Sequence, residues 1–117
     1  MMSVTIFHNP KCSKSRQTLD LLEQQGTTPE IIEYLKNPPG EEQLQEILSL
    51  LGMRPRDLMR KKEEVYTRLG LDNPDLSDMD LIGFMVKNPI LIERPIVFAH
   101  GKAALGRPPE QVLKILE

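Results

Sequence analysis

The sequence has no tryptophan and only one cysteine among its 117 residues. A single thiol excludes an internal disulfide, a C-x-x-C redox pair and a multi-cysteine zinc site. Aromatic residues make up only 4% of the chain, so leucine and isoleucine must fill most of any interior. Charge of one sign is also lacking: 15 Lys and Arg face 17 Asp and Glu, for a net charge of −2. That balance carries no basic footprint for nucleic acid. No apolar run approaches the roughly 20 residues of a membrane span. The start, "MMSVTIFHNPKCSKSR", has neither the basic head nor the long apolar stretch of a signal peptide. The expectation is a cytoplasmic protein with no nucleic acid and no membrane as partner. No internal repeat or low-complexity linker breaks the chain.

What is present suits one compact domain over residues 1–117. "SVTIF" is rich in β-branched residues and reads as a strand. From Ser13 the pattern turns helical, with Leu19, Leu21 and Leu22 on or beside one face and Gly26 as the stop. "EIIEYL" reads as a second strand, which makes a right-handed βαβ unit with parallel strands. Leu44, Ile47, Leu48 and Leu51 then follow the i, i+3, i+4, i+7 spacing of an amphipathic helix closed by Gly52. Pro55 opens a short helix through Met59. Val65, Tyr66 and Leu69 mark another, closed by Gly70. Ser77 and Asp80 have the spacing of a capping box before Leu81, Ile82, Phe84 and Met85. "PIVFA" and "KAAL" flank a tight turn at His100-Gly101. "PPEQVLKILE" reads as a last helix with Val112, Ile115 and Leu116 on its apolar face. The order is βαβ, a block of helices, then ββα. It fits an α/β thioredoxin-like (glutaredoxin-like) fold with a helical insertion at about residues 40–88, although a small separate helical domain there is the alternative.

Cys12 falls between the first strand and the first helix. The leading N–H groups of a helix lack internal partners, and the helix dipole adds partial positive charge there. Such a place favours a thiolate, the nucleophilic form of cysteine, and also a bound oxyanion. His8, Lys11, Lys14 and Arg16 add charge or potential charge nearby, and Lys11, Ser13 and Lys14 argue against deep burial. The plainer reading is a small buried hydrophobe. His8 is either a base or electrostatic partner for the thiol or a strand-end residue bonded to backbone. Ser15 either bonds the thiolate or faces solvent. "RKKEE" is most simply a solvated charged face, and His100 a turn residue. Arg94-Pro95 opens a strand, where a cis bond is tolerated at a cost of only about 0.5–1 kcal/mol. In thioredoxin-like folds such a cis proline lies beside the active cysteine.

Four ordered motifs, "HNPKCSKSR", "LMRKKEEVYTRLGL", "NPILIERPIV" and "GRPPEQVL", resemble the glutaredoxin-coupled arsenate reductase family, in a small and less characterised branch. The likeness runs from Val4 to Leu116. It implies a thioredoxin-like fold with a helical insertion. It also implies that Cys12 is the nucleophile, that Arg60, Arg94 and Arg107 bind the oxyanion, and that His8, Ser15 and Pro95 assist. The reaction it implies starts with attack of the Cys12 thiolate on arsenate and loss of water or hydroxide. Glutathione then attacks and arsenic becomes trivalent. Glutaredoxin takes the glutathione, and arsenite leaves. No metal and no bound cofactor are implied. Glutathione enters as co-substrate, and with no second cysteine in the chain external thiols are obligatory.

Two other readings stay open. A glutaredoxin-like enzyme acting on glutathione mixed disulfides has no need of three arginines around an oxyanion. A redox-linked transcription regulator that binds RNA polymerase would often use C-x-x-C where this chain has C-S-K-S. A cysteine phosphatase is excluded, because its C-x₅-R loop would need arginine where Thr18 stands.

Overall fold

The computed structural model describes residues 4–116. Met1–Ser3 and Glu117, which include the first residue of the expected strand "SVTIF" and the last of "PPEQVLKILE", lie outside the described residues. The chain forms two compact units: residues 1–37 with 94–117, and residues 38–93.

The first unit is a mixed four-stranded sheet, β1 (Val4–Phe7), β2 (Glu30–Ile32), β3 (Ile96–Ala99) and β4 (Lys102–Leu105), in the order β2-β1-β3-β4. β1 and β2 are parallel, with Ile6 opposite Ile31. They are joined by helix α1 (Ser13–Gln24), the crossover that parallel neighbours require. β3 runs antiparallel to β1, with Ile6 opposite Val97, and β4 antiparallel to β3. The β3–β4 turn places His100 at φ 55° and Gly101 at φ 72°, the two left-handed residues of a tight hairpin. Alternation along the strands sends Val4, Ile6, Val97 and Ala99 to one face, where they pack with Leu22 of α1 and with Val112 and Ile115. On the other face Phe7 stacks on Tyr34 and meets Phe98 edge-on, at centroid distances of 6.3 and 5.2 Å. Ile6 and Leu22 are fully buried, and truncating either to alanine costs about 2–5 kcal/mol.

Two expected elements differ. The second strand ends at Ile32 rather than running through "EYL", because its sheet partner among the described residues, β1, ends at Phe7 opposite Ile32. Lys36 and Asn37 N–H then fold back onto the Glu33 carbonyl. The C-terminal segment Pro109–Ile115 is 3-10 rather than α-helical. Its i→i+3 geometry eclipses Val112 and Ile115 on one side, and both are buried.

The second unit is helical: α2 (Glu41–Leu51), α3 (Pro55–Leu58), α4 (Glu64–Arg68) and α5 (Asp78–Lys87), followed by a 3-10 turn at Pro89–Leu91. Leu44, Ile47 and Leu48 of α2, Leu58 of α3, and Leu81, Ile82 and Met85 of α5 are buried. Gly52 ends α2 in the left-handed conformation at φ 66°. Ser77 and Asp80 form the expected capping box: Ser77 Oγ accepts the Asp80 N–H at 3.1 Å, and Asp80 accepts the Ser77 N–H at 3.0 Å. Arg56 crosses to Tyr66 Oη and to the carbonyls of Leu71 and Asn73, which closes the α4–α5 connection. No helix among the described residues is long and apolar enough to cross a membrane.

Candidate active site

The site begins where β1 ends. His8 donates its N–H to the Ile32 carbonyl at 2.9 Å, which carries the ladder one residue beyond the strand. The chain then turns sharply. Asn9 Oδ1 accepts the Lys11 N–H at 3.0 Å, and the Asn9 carbonyl accepts the Cys12 N–H at 3.0 Å. An asparagine that folds back onto its own backbone is a turn device, and here it delivers Cys12 as the residue capping α1.

Ser15 is completely buried, and its hydroxyl is a hub. It accepts the Asn9 N–H at 3.0 Å and lies 2.6 Å from His8 Nδ1. His8 is itself only 6% exposed. Burial holds its pKa below the ordinary 6.5, although the Glu33 carboxylate pulls the other way. The imidazole is therefore neutral near pH 7, with one ring nitrogen donating and the other accepting. The ring nitrogen Nδ1 of this neutral His8 is engaged with the Ser15 hydroxyl.

Cys12 is 8% exposed, more buried than its lysine neighbours suggest. Burial alone would push the thiol pKa up, and it is the largest single influence. It is outweighed by the Ser15 N–H, the Arg94 guanidinium, the Lys14 N–H and the Arg107 guanidinium, which together hold the pKa below the ordinary 9.0. As a thiol the side chain closes no capping hydrogen bond. As a thiolate it gains the helix-start N–H groups, so ionisation and capping are one event. Lys11, Lys14 and Arg16 extend into solvent. Lys14 contributes through its backbone, and the effective cations come from the far end of the sequence.

Those cations share one loop pair. Arg94-Pro95 is a cis peptide, as its place at a strand start suggests, and Arg107-Pro108 is a second cis bond. Arg107 Nε donates to the Arg94 carbonyl at 2.8 Å, and Gly106 N–H donates to the Pro95 carbonyl at 3.0 Å. Arg94 is half-buried and Arg107 exposed. The first unit thus gathers His8, Cys12, Ser15, Arg94, Pro95 and Arg107. Arg60 belongs to the second unit. There Met59 and Ile92 form an isolated antiparallel bridge, and Arg60 N–H donates to the Leu91 carbonyl at 2.7 Å. Its guanidinium lies 3.3 Å from Glu63 and 3.9 Å from Glu93, with all three side chains about a quarter exposed. Among the described residues no cluster of His, Cys, Asp and Glu has the make-up of a metal site.

Sequence reasoning passed over Asn9, Thr18 and Gly106. Thr18 is fully buried, and its hydroxyl donates to the Lys14 carbonyl at 2.8 Å. The innermost stripe of α1 is Ser15, Thr18 and Leu22, of which a search for apolar periodicity finds only the leucine. The repeated X-Pro of "ERP" and "GRPPE" was the available signal for the paired cis bonds.

A four-stranded sheet of this topology, with a buried thiol at the start of its first helix, defines a protein of thioredoxin-like fold. The chain belongs to the ArsC family, whose sequence model matches residues 7–115. It is 54% identical over 114 residues to the protein of Escherichia coli K12 named "Uncharacterized protein YfgD", covering 97% of this chain and 96% of that one. It is 51% identical over 116 residues to the arsenate reductase of Haemophilus influenzae, covering 98% and 100%. Among solved structures, arsenate reductase from Vibrio cholerae superposes with a TM-score of 0.95 at 54% identity, over 97% of this chain and 98% of that one.

Proposed function

We propose that this protein reduces arsenate to arsenite, with Cys12 as nucleophile and with glutathione and glutaredoxin supplying the electrons. The observation that carries the reading is the Cys12 thiol held below its ordinary pKa by two helix-start N–H groups and the two arginines Arg94 and Arg107. Arsenate near neutral pH is largely a dianion, so a thiolate approaches it only where fixed positive charge compensates. Guanidinium forks match the oxygens of a tetrahedral anion and strengthen as negative charge builds on them. In this reading Arg60 is the third oxyanion-binding arginine, as the family resemblance implies.

The thiolate attacks arsenic, the As–S bond forms, and one arsenate oxygen leaves as water or hydroxide. Glutathione displaces a second oxygen, and arsenic then carries both sulfurs. A glutaredoxin thiolate attacks the glutathione sulfur and forms a mixed disulfide. The electron pair of the broken As–S bond stays on arsenic, which becomes trivalent. Water then releases arsenite and frees Cys12. Two external thiols are oxidised for each arsenic reduced, which fits a chain with one cysteine.

The test is purified protein with arsenate, glutathione and glutaredoxin, with arsenite measured directly. Turnover is expected, together with its loss in Cys12→Ser. Reactive Cys12 without arsenite formation overturns the reading, and reduction of glutathione mixed disulfides by the same sample would put the glutaredoxin-like activity in its place. Arsenite formed equally well without glutathione would overturn the external-thiol route.

A further inference from the structure

Gly106 is buried between two parts of the site. A Cβ placed on it would lie 2.5 Å from Thr18 Oγ1, 2.7 Å from Pro95 Cγ and 3.1 Å from Thr18 Cγ2. The first two distances are far inside normal van der Waals contact. Thr18 is in the helix that Cys12 caps, and it is tied to that helix by its bond to the Lys14 carbonyl. Pro95 follows Arg94, Arg107 follows Gly106, and the two loops are joined by the Gly106–Pro95 and Arg107–Arg94 hydrogen bonds. Gly106 is thus where the thiol-bearing helix and both arginine-bearing loops crowd the space a single Cβ would fill.

We propose that Gly106 is a positioning residue: its missing side chain lets α1 close on the two loops and so sets Arg94 and Arg107 against the Cys12 sulfur. This rests on the reading of the two arginines as oxyanion ligands given above. A methyl group here must push either α1 or the loop pair outward. Thr18 can yield little, because it is fully buried and its hydroxyl is already bonded. The Cys12 N–H cradle comes from α1 itself and survives the change, whereas the guanidinium contribution does not.

The test compares Gly106→Ala, Thr18→Ala and the double variant with wild type. Folding is followed by circular dichroism, the Cys12 ionisation midpoint by the pH dependence of iodoacetamide alkylation, and arsenate KM and kcat by turnover. Gly106→Ala should raise the alkylation midpoint toward that of Arg107→Ala. It should also raise arsenate KM by about ten-fold, the penalty for a small misplacement of binding groups. The double variant should fall between Gly106→Ala and wild type, because removing Thr18 Oγ1 and Cγ2 relieves two of the three close contacts. A Gly106→Ala protein that loses thermal stability but keeps the wild-type midpoint and KM overturns the proposal. Should Gly106→Ala fail to fold, the double variant decides: a raised midpoint supports the proposal and a wild-type midpoint overturns it. The alkylation arm uses no arsenate, so an arsenate-inactive wild type would sink the functional reading and leave the Gly106 result standing.

Discussion

The hydroxyl of Ser15 lies 2.6 Å from Nδ1 of His8 and also accepts the Asn9 N–H. One buried oxygen therefore ties the end of β1, the turn before the cysteine and the first turn of α1. Ser15→Ala removes both bonds and leaves a backbone donor and a ring nitrogen unpaired. The expected loss of stability is about 1–3 kcal/mol, read from urea unfolding. The Ser15 N–H that favours the thiolate is retained, so the Cys12 alkylation midpoint should stay below the ordinary 9.0. A variant of unchanged stability would show that the hub carries no structural weight.

Cys12 should alkylate with a midpoint below 9.0, and Arg94→Ala and Arg107→Ala should each move it upward. The sign is fixed by which form the arginines favour, the thiolate. A folded-state pKa below the unfolded value also means that the thiolate adds stability above the unfolded pKa. That contribution disappears as pH falls through the folded pKa. Wild type should accordingly gain stability over Cys12→Ser as pH rises through this window. A constant difference across the window would contradict the assigned ionisation.

His8 sets an acid limit. Its pKa is lowered in the folded protein from 6.5, so below 6.5 the unfolded chain takes up a proton that the folded one resists. Stability should fall as pH drops from 6.5 through the folded value. His8→Gln, which keeps a polar side chain without the titration, should flatten that part of a thermal-melt profile against pH. An unchanged slope in the variant would assign the acid sensitivity to other groups.

Arg60→Ala, Arg94→Ala and Arg107→Ala should each reduce arsenate turnover by about ten-fold or more. Lysine at the same positions should restore only part of it, because an ammonium keeps the charge and loses the planar fork. At position 107 lysine also loses the Nε–H that holds the Arg94 carbonyl. Full activity in Arg60→Lys would reduce the role of that residue to charge alone.

Much of this architecture is legible in local sequence signals. The Ser77 and Asp80 capping box, the left-handed Gly52 and the His100-Gly101 turn each depend on a few adjacent residues, and each is found where the pattern puts it. The cis Arg94-Pro95 bond is found as well. Less legible are features decided by partners distant in sequence. β2 stops at Ile32 because β1 runs out. The C-terminal segment winds as 3-10, a choice between two helical geometries that its short apolar pattern does not decide. Ser15 and Thr18 are buried because what meets them, His8, Asn9 and Gly106, is polar or lacks a side chain. Hydrophobic periodicity has no sensitivity to such a stripe. For Cys12, sequence proximity pointed to lysines, whereas the cations acting on it lie more than eighty positions downstream.

The pairing of β1 with β3, Val4 opposite Ala99, has a consequence for the order in which the chain is built. The centre of the sheet joins the first described residues to a strand that leaves the ribosome only after the whole helical unit has been synthesised. Residues 38–93 make their own contacts locally and can compact while β1 still waits, whereas the sheet must close a loop that spans that whole unit. The nascent protein therefore holds its cysteine on an incomplete sheet until Arg94 and Arg107 have been added. During that interval the thiol has only the N–H groups of α1 to hold its pKa down, and the contribution of the two guanidiniums arrives after that of the helix.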